Sequence, residues 1–384
     1  MTKWTFAALL LALPAAAQAA DPINYSIHQH YVSPRALGMG NAFVGVADDY
    51  NALFYNPAGL ATLKEGEINL KIQVAGSGNI IDFSNQLKDA SNAADKETAY
   101  NDVLNKNYGS NYFLRFPNIG GTWARPGWAV AVIPADLSAE IGVHQQLGPT
   151  LTVEGYQDTT IAFGKAWTFF ADQPAVLHVG TTGKAIYRGY VLKSVSAPEL
   201  VNNDKFFTPE DAQEGMTIDA DVGALYSWKA HDQGGAAWTQ WARPQVGLTV
   251  RNIADWGFKQ NYHIYNKETG EPPKMERRFD VGGMADLPGF WVFKPRFALD
   301  VRDIGHRYWT FKKGFRTGVE LLWNVRWWLQ GGYRVGLSQG YLSAGLSAQF
   351  VWFRLDFATW GEEIGTAGAP KENRRYVAQM SLSF

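Results

Sequence analysis

Residues 375–384 read RYVAQMSLSF. Tyr376, Ala378, Met380, Leu382 and Phe384 fall on one face, and Arg375, Val377, Gln379, Ser381 and Ser383 on the other, the period of two that marks a strand with one apolar side. The pattern recurs upstream. Residues 67–74, EINLKIQV, set Ile68, Leu70, Ile72 and Val74 against Glu67, Asn69, Lys71 and Gln73. Phe315, Thr317, Val319, Leu321 and Trp323 oppose Arg316, Gly318, Glu320 and Asn324, and Phe353, Leu355 and Phe357 oppose Arg354 and Asp356. The chain is built of strands.

Such strands suit a soluble sandwich, whose apolar faces meet each other, or a membrane barrel, whose apolar faces meet lipid. Gly, Arg and paired charges on the second face fit the crowded inside of a barrel. Trp228, Trp241, Trp291, Trp309, Trp327, Trp328 and Trp360, near the ends of runs, suit girdles at the two membrane interfaces. The strand begun by Tyr376 and ended by Phe384 is similar to the C-terminal signal by which outer-membrane barrels are taken up for insertion. The expectation is an all-β, transmembrane antiparallel β-barrel. At 9–11 residues per crossing, residues 67–384 give about 14 strands. A helical insertion is expected near 82–107, from the spacing of Leu87, Ala90, Ala94, Val103 and Leu104. Polar loops are expected at 194–215 and 259–274.

Past the N-terminus no apolar run is long enough for a spanning helix. The formal net charge of -1 offers no basic field for nucleic acid. The absence of Cys removes disulfides and thiolate chemistry. Lys3, the apolar stretch from Phe6 to Ala17 and Ala17-Gln18-Ala19 read as a signal peptide over 1–19. This places the protein in the outer membrane of a Gram-negative cell. Charges facing the lumen, among them Arg316, Glu320, Arg334, Arg354 and Asp356, nearly balance in sign and suit an interior that pairs with itself rather than an ion-selective ring. No nucleophile elbow or zinc-protease motif occurs, so no catalytic residue and no cofactor is expected. His28 and His30 could share a metal, but no third ligand stands nearby in sequence, and no metal site is expected.

Residues 35–62, RALGMGNAFVGVADDYNALFYNPAGLAT, do not alternate. Gly38 and Gly40 allow close backbone approach, Asp48 and Asp49 can cap a turn, and Asn56-Pro57 forces an exit from the short helix before it. A plug over 20–66, folded into the barrel mouth, is expected. The run Gly38-Met39-Gly40, Asp48-Asp49, Asn56-Pro57-Ala58-Gly59 resembles the N-terminal hatch of the FadL-like outer-membrane channels, a superfamily that includes the PorV-like barrels. The resemblance implies a monomeric barrel of 14 strands whose hatch occludes the lumen. It further implies passive transport of a small hydrophobic molecule, fatty-acid-like or aromatic, in some relatives through a side opening. Phe43, Leu53, Phe54, Tyr55 and Leu60 are the candidate ligand contacts. The partners implied are outer-membrane lipid, the barrel-assembly machinery acting on the last strand, and the transported compound. The alternative is a PorV-like barrel that conducts nothing and serves as a partner in secretion or surface attachment.

Overall fold

The computed structural model describes residues 23–145, 148–202, 211–264 and 270–384. The expected signal peptide lies outside them, as do parts of both expected polar loops. Fourteen antiparallel strands form one closed barrel: β1 (Glu67–Ser77), β2 (Asn111–Arg125), β3 (Trp128–Gln145), β4 (Pro149–Phe169), β5 (Ala175–Ser196), β6 (Gln213–Trp228), β7 (Arg243–Arg251), β8 (Arg278–Asp286), β9 (Phe293–Ile304), β10 (Phe315–Arg326), β11 (Leu329–Ser338), β12 (Tyr341–Phe350), β13 (Phe353–Glu363) and β14 (Glu372–Ser383). Closure runs from Asn69↔Ser383 to Ser77↔Arg375, so no edge is left unpaired.

Burial along these strands is inverted relative to a soluble protein. Ile68, Leu70, Ile72 and Val74 are 38–49% exposed, while Asn69, Lys71 and Gln73 between them are at most 7% exposed. Exposed apolar rows and a buried polar lining are what a bilayer outside and a crowded lumen inside require. No helix among the described residues is long and apolar enough to cross a membrane. The strands do the crossing.

Turns 126–127, 327–328 and 351–352 are short, whereas the opposite end carries the connections 78–110, 197–212 and 252–277. The short turns mark the periplasmic side and the long loops the extracellular one. This is an outer-membrane barrel. The aromatic girdle departs from the expected pair of belts. Trp228, Trp241, Trp291, Trp327 and Trp328 all lie at the periplasmic end, as do Trp128 and Trp352. Trp309 lies at the other end, and Trp360 turns into the lumen, 4% exposed, with Nε1 donating to Glu362.

Strands β3 to β5 have 18, 21 and 22 residues, about twice a membrane crossing. Their surplus rises beyond the bilayer and packs against three helices, α3 (Ile80–Ser91), α4 (Lys96–Lys106) and α5 (Ala197–Asn202). Phe83, Tyr100, Leu104, Tyr112, Leu151, Val195 and Leu200 form the core of this extracellular cap. The stretch 82–107, read as one helical excursion, is two helices, because Asp95 caps a new start by accepting from the Thr98 N–H. The loop expected from 194 begins later: β5 keeps its ladder to Ser196, and α5 follows directly.

Candidate functional site

Residues 33–62 lie inside the lumen, almost wholly buried. Helix α1 (Pro34–Gly38) opens on Pro34, whose missing N–H costs nothing at a helix start, and α2 (Ala52–Tyr55) ends at Asn56, whose extended backbone leads into the turn Pro57–Thr62. Asn56 holds three strands of chain together. Its Oδ1 accepts from the Ala58 N–H, and its Nδ2 donates to the carbonyls of Val44 and, on β6, of Ala224. Gly40 has φ +68°, and a Cβ there would stand 2.3 Å from the Leu337 carbonyl oxygen and 2.5 Å from that of Thr317. Only glycine lets the segment seat against β10 and β11 at this point. A Cβ at Gly59 would lie 1.8 Å from the Ala47 oxygen, so the Asn56–Gly59 turn closes on the strand of chain before it. Met39 presses its backbone on Gly318 and Gly336 of the wall.

One side of the segment is clamped by charge. Arg35 forks onto Glu320 of β10, with Nε and Nη2 donating at 2.8 and 2.7 Å, while its Nη1 reaches Asp48 and Asp49 at 2.8 Å. Arg296 of β9 donates to Asp48 at 2.7 Å. Arg334 of β11 completes the shell of Glu320 at 2.7 Å. Asp300 of β9 accepts the backbone N–H groups of Phe43 and Val44, and Arg302 donates to the Asn41 carbonyl. Burial alone would push the Asp48 carboxyl up, but Arg296 and Arg35 outweigh it and hold Asp48 below the ordinary carboxylate range.

The other side is apolar and small. Ala47, Tyr50, Leu53 and Leu60 pack on a lane of inward-facing alanines, Ala124 of β2, Ala129 and Ala131 of β3, and Ala162 and Ala166 of β4. No sequence expectation singled out this lane. An inward alanine in a strand reads as a gap in the alternation, and only the barrel sets these five side by side.

No family model matches the sequence, and no curated protein matches it. Among solved structures the chain is similar to the toluene transporter TbuX of Ralstonia pickettii, with 10% identity over 92% of this chain and 98% of that one, at a TM-score of 0.43. It is similar to a FadL homologue of Pseudomonas aeruginosa at 9% identity, 94% and 98% coverage and TM-score 0.42. The toluene transporter TodX of Pseudomonas putida gives 12%, 90%, 97% and 0.41. CdiB from Escherichia coli gives 10% identity and a TM-score of 0.36, with 83% of this chain against 63% of that one. Likenesses this distant assign no activity to the chain.

The candidate ligand residues do not share one cavity. Phe43 and Tyr55 pack on each other at 5.2 Å, and Tyr55 donates to Asn41 beneath the Arg302 guanidinium. Leu53 and Leu60 meet the alanine lane, and Phe54 stacks on Tyr31 at 4.1 Å. Beside Phe54 and Tyr55 the free space is about 40 Å³. Asp49, Arg35, Arg334 and Arg354 instead border a polar vestibule of about 400 Å³ under the segment. Arg354 forks onto Asp356 at 2.8 and 3.1 Å, and Arg316 donates to Ser338. Tyr376 faces lipid, and Phe384 exchanges backbone hydrogen bonds with Ile68 at 3.0 Å. The histidine pair gains a third neighbour that its sequence position hid: Asp158 of β4 lies within 4.8 Å of His28 and His30. Arg188, however, already forks onto Asp158 and donates to His30 Nδ1 at 2.6 Å. Burial and Arg188 push His30 down to about 3, so a neutral ring accepts this bond, and the guanidinium fills the place a cation would take.

Proposed function

We propose that residues 23–64 act as a hatch and that the barrel passes small hydrophobic compounds across the outer membrane by diffusion, in the manner of FadL-like channels. The alanine lane carries this reading. A charged lining on β8 to β11 would repel an apolar solute, whereas withdrawal of Leu53 and Leu60 from Ala124, Ala129, Ala131, Ala162 and Ala166 leaves an apolar track the length of the contact. The track runs toward a weakened stretch of wall. Register shifts fall in adjacent ladders at Gln73/Ala75, Arg115/Asn118 and Ile133/Asp136, where strand pairing is interrupted and a solute can leave sideways. Replacing Ala131 and Ala162 together by Trp fills the lane without touching the lipid face. Uptake of a labelled monoaromatic or a medium-chain fatty acid by expressing cells is expected to fall at least tenfold with normal barrel on gels. Uptake at the unaltered rate, with the double variant folded, removes the proposal.

A second reading is a non-conducting barrel that serves a partner, and the extracellular cap favours it. Strands that rise about twice the height of the membrane and carry a core of their own are more than a channel mouth needs. Extraction in mild detergent separates the two readings: a stoichiometric complex supports the partner role, and a monomer active in uptake supports the channel.

A further inference from the structure

A sizeable apolar groove lies outside the barrel. It has a volume of about 690 Å³ and runs over the lipid-facing side of β12, β13, β14 and β1. Its floor is low because Ala344, Thr359, Gly76 and Ala378 stand where neighbouring rows carry larger side chains. Leu346 and Phe357 bank it on one side, Val74 and Ile81 on the other. The β13–β14 and β14–β1 ladders beneath are continuous through Ala358↔Val377 and Gly76↔Tyr376, so the floor is closed wall; the end of the β12–β13 ladder at Ala344↔Thr359 and the Gln73/Ala75 shift lie at its two edges. The groove faces the membrane, from which a lipid chain can enter it.

The groove lies in the outer leaflet, since Ser77, Tyr341 and Glu372 at the extracellular ends of β1, β12 and β14 are a few residues away. A cation closes its upper end. Arg374 projects outward from β14, opposite Gly361 of β13, and crosses that glycine to donate from Nη1 to the Leu342 carbonyl of β12 at 2.6 Å. Directly below this row come Tyr376, Thr359 and Ala344. Glu372 pairs with Arg374, and Lys371 donates to the Gly109 carbonyl, leaving further N–H groups on both cations. On α3, exposed Lys88 follows Ile81 by two helical turns, about 10 Å along the axis. Trp residues hold the periplasmic rim, and basic side chains stand at this one.

We propose that this groove is a binding site for one acyl chain of a net-anionic phospholipid of the outer leaflet, the chain lying over Ala344 and Ala378 and the anionic head meeting Arg374. Apolar length and an anionic head are both required, because the floor offers no hydrogen bonds and the upper rim offers mainly donors.

The test uses the full-length protein in nanodiscs of phosphatidylcholine and phosphatidylglycerol of equal chain length, transferred to native mass spectrometry. The unaltered protein is expected to retain one phosphatidylglycerol, preferred at least tenfold over phosphatidylcholine. Ala344→Phe with Ala378→Phe, which fills the groove, is expected to abolish retention. Ala348→Phe, on the same outward row of β12 but below the groove, is expected to leave it intact. Arg374→Gln is expected to keep an adduct but lose the headgroup preference. All four substituted positions face lipid, and heat-modifiability on gels reports their folding. Retention that survives the filled groove, or that falls equally with Ala348→Phe, overturns the site. A preference unchanged by Arg374→Gln overturns the assignment of the head.

Discussion

Arg35 ties the lumenal segment to the wall through three carboxylates. It joins the acidic turn of the lumenal segment, Asp48 and Asp49, to the wall carboxylate Glu320 through one rigid fork, with Arg296 of β9 as a second, looser link between Asp48 and Glu320. Removing one partner of a buried pair costs about 3–5 kcal/mol. Glu320 would keep Arg334, and Asp48 would keep Arg296, so the loss falls on closure of the hatch rather than on the wall. Arg35→Met is therefore expected to raise single-channel leak in planar bilayers by about two orders of magnitude in open probability, with assembly intact; each 1.4 kcal/mol is about tenfold. Arg35→Lys should fall between, since an ammonium cannot reproduce the fork. An unchanged closed state in Arg35→Met would show that the clamp does not hold the hatch. Asp48 gives the same clamp a pH dependence. A carboxylate held below its ordinary value contributes closure that is complete above that value and lost as pH falls through the lowered one. Leak should stay flat from neutral pH down to the ordinary carboxylate range near 3.9 and rise only below it. Asp48→Asn should abolish the step; leak that opens near pH 6 would point to another group.

Between elements, the lumenal segment proposed as a hatch is bonded unevenly. Residues 35–49 form their ion pairs with β9 and β10, whereas at β14, β1 and β2 the segment has only neutral acceptors and donors as partners, Arg115 donating to the Gln29 and His30 carbonyls and Gln379 to the Tyr50 hydroxyl, beside Asn69, Lys71 Nζ, Gln73, Asn118 Oδ1 and Ser381, which have no hydrogen-bond partner among the described residues. Lys71 rests on the Tyr31 ring at 4.4 Å, which compensates only part of its burial. Each unsatisfied group costs about 1–3 kcal/mol that water would return on opening. The hatch is thus expected to pivot on β9 and β10 and to part from β14, β1 and β2. Tyr50 and Gln379 touch across that seam at 3.3 Å, and the chain has no cysteine of its own. A cleavable bis-thiol cross-linker spanning Tyr50→Cys and Gln379→Cys, whose native side chains meet only at their tips, should silence uptake, and cutting the linker should restore it. Uptake indifferent to the bridge would place the opening elsewhere. The strands at this seam were legible because Glu67–Val74 and Arg375–Phe384 each have lipid on one face and lumen on the other. Strands β3 to β5 were harder to read, since above the bilayer both faces are covered and the alternation fades; Leu151 and Val153 are buried as deeply as the polar Thr150 and Thr152 between and before them. The clamp itself could not be read at all. Arg35 and Glu320 are 285 positions apart, and nothing local in either stretch names the other.

At the scale of the molecule, the question is whether barrel and hatch stand independently. The lumen charges answer it in part, because many pair within the wall: Arg115 with Asp136, Arg188 with Asp158, Lys184 with Asp221, Arg251 with Asp280, and Arg375 with Glu140. These bonds join neighbouring strands, or β14 to β3, and none of them needs the hatch. The fourteen ladders also close without it. Deleting residues 23–64 is therefore expected to leave a barrel that inserts and shows the usual heat-modifiable shift. It should conduct as a wide, water-filled pore. Its selectivity follows from what the deletion uncovers. Arg278, Arg302 and Arg316 crowd around Asp280, Asp300 and Asp303 with Arg251 beside them, and the hatch backbone that Asp300 and Arg302 bind is gone. Basic and acidic groups remain nearly matched, with a small basic surplus at this level. Reversal potentials in a salt gradient should show a weak anion preference that vanishes at high ionic strength, where the Debye length shrinks to about 3 Å. Strong cation selectivity would mean that the unpaired carboxylates, not the arginines, line the open path. Failure of the deleted protein to assemble would mean that the hatch is needed for the barrel to form.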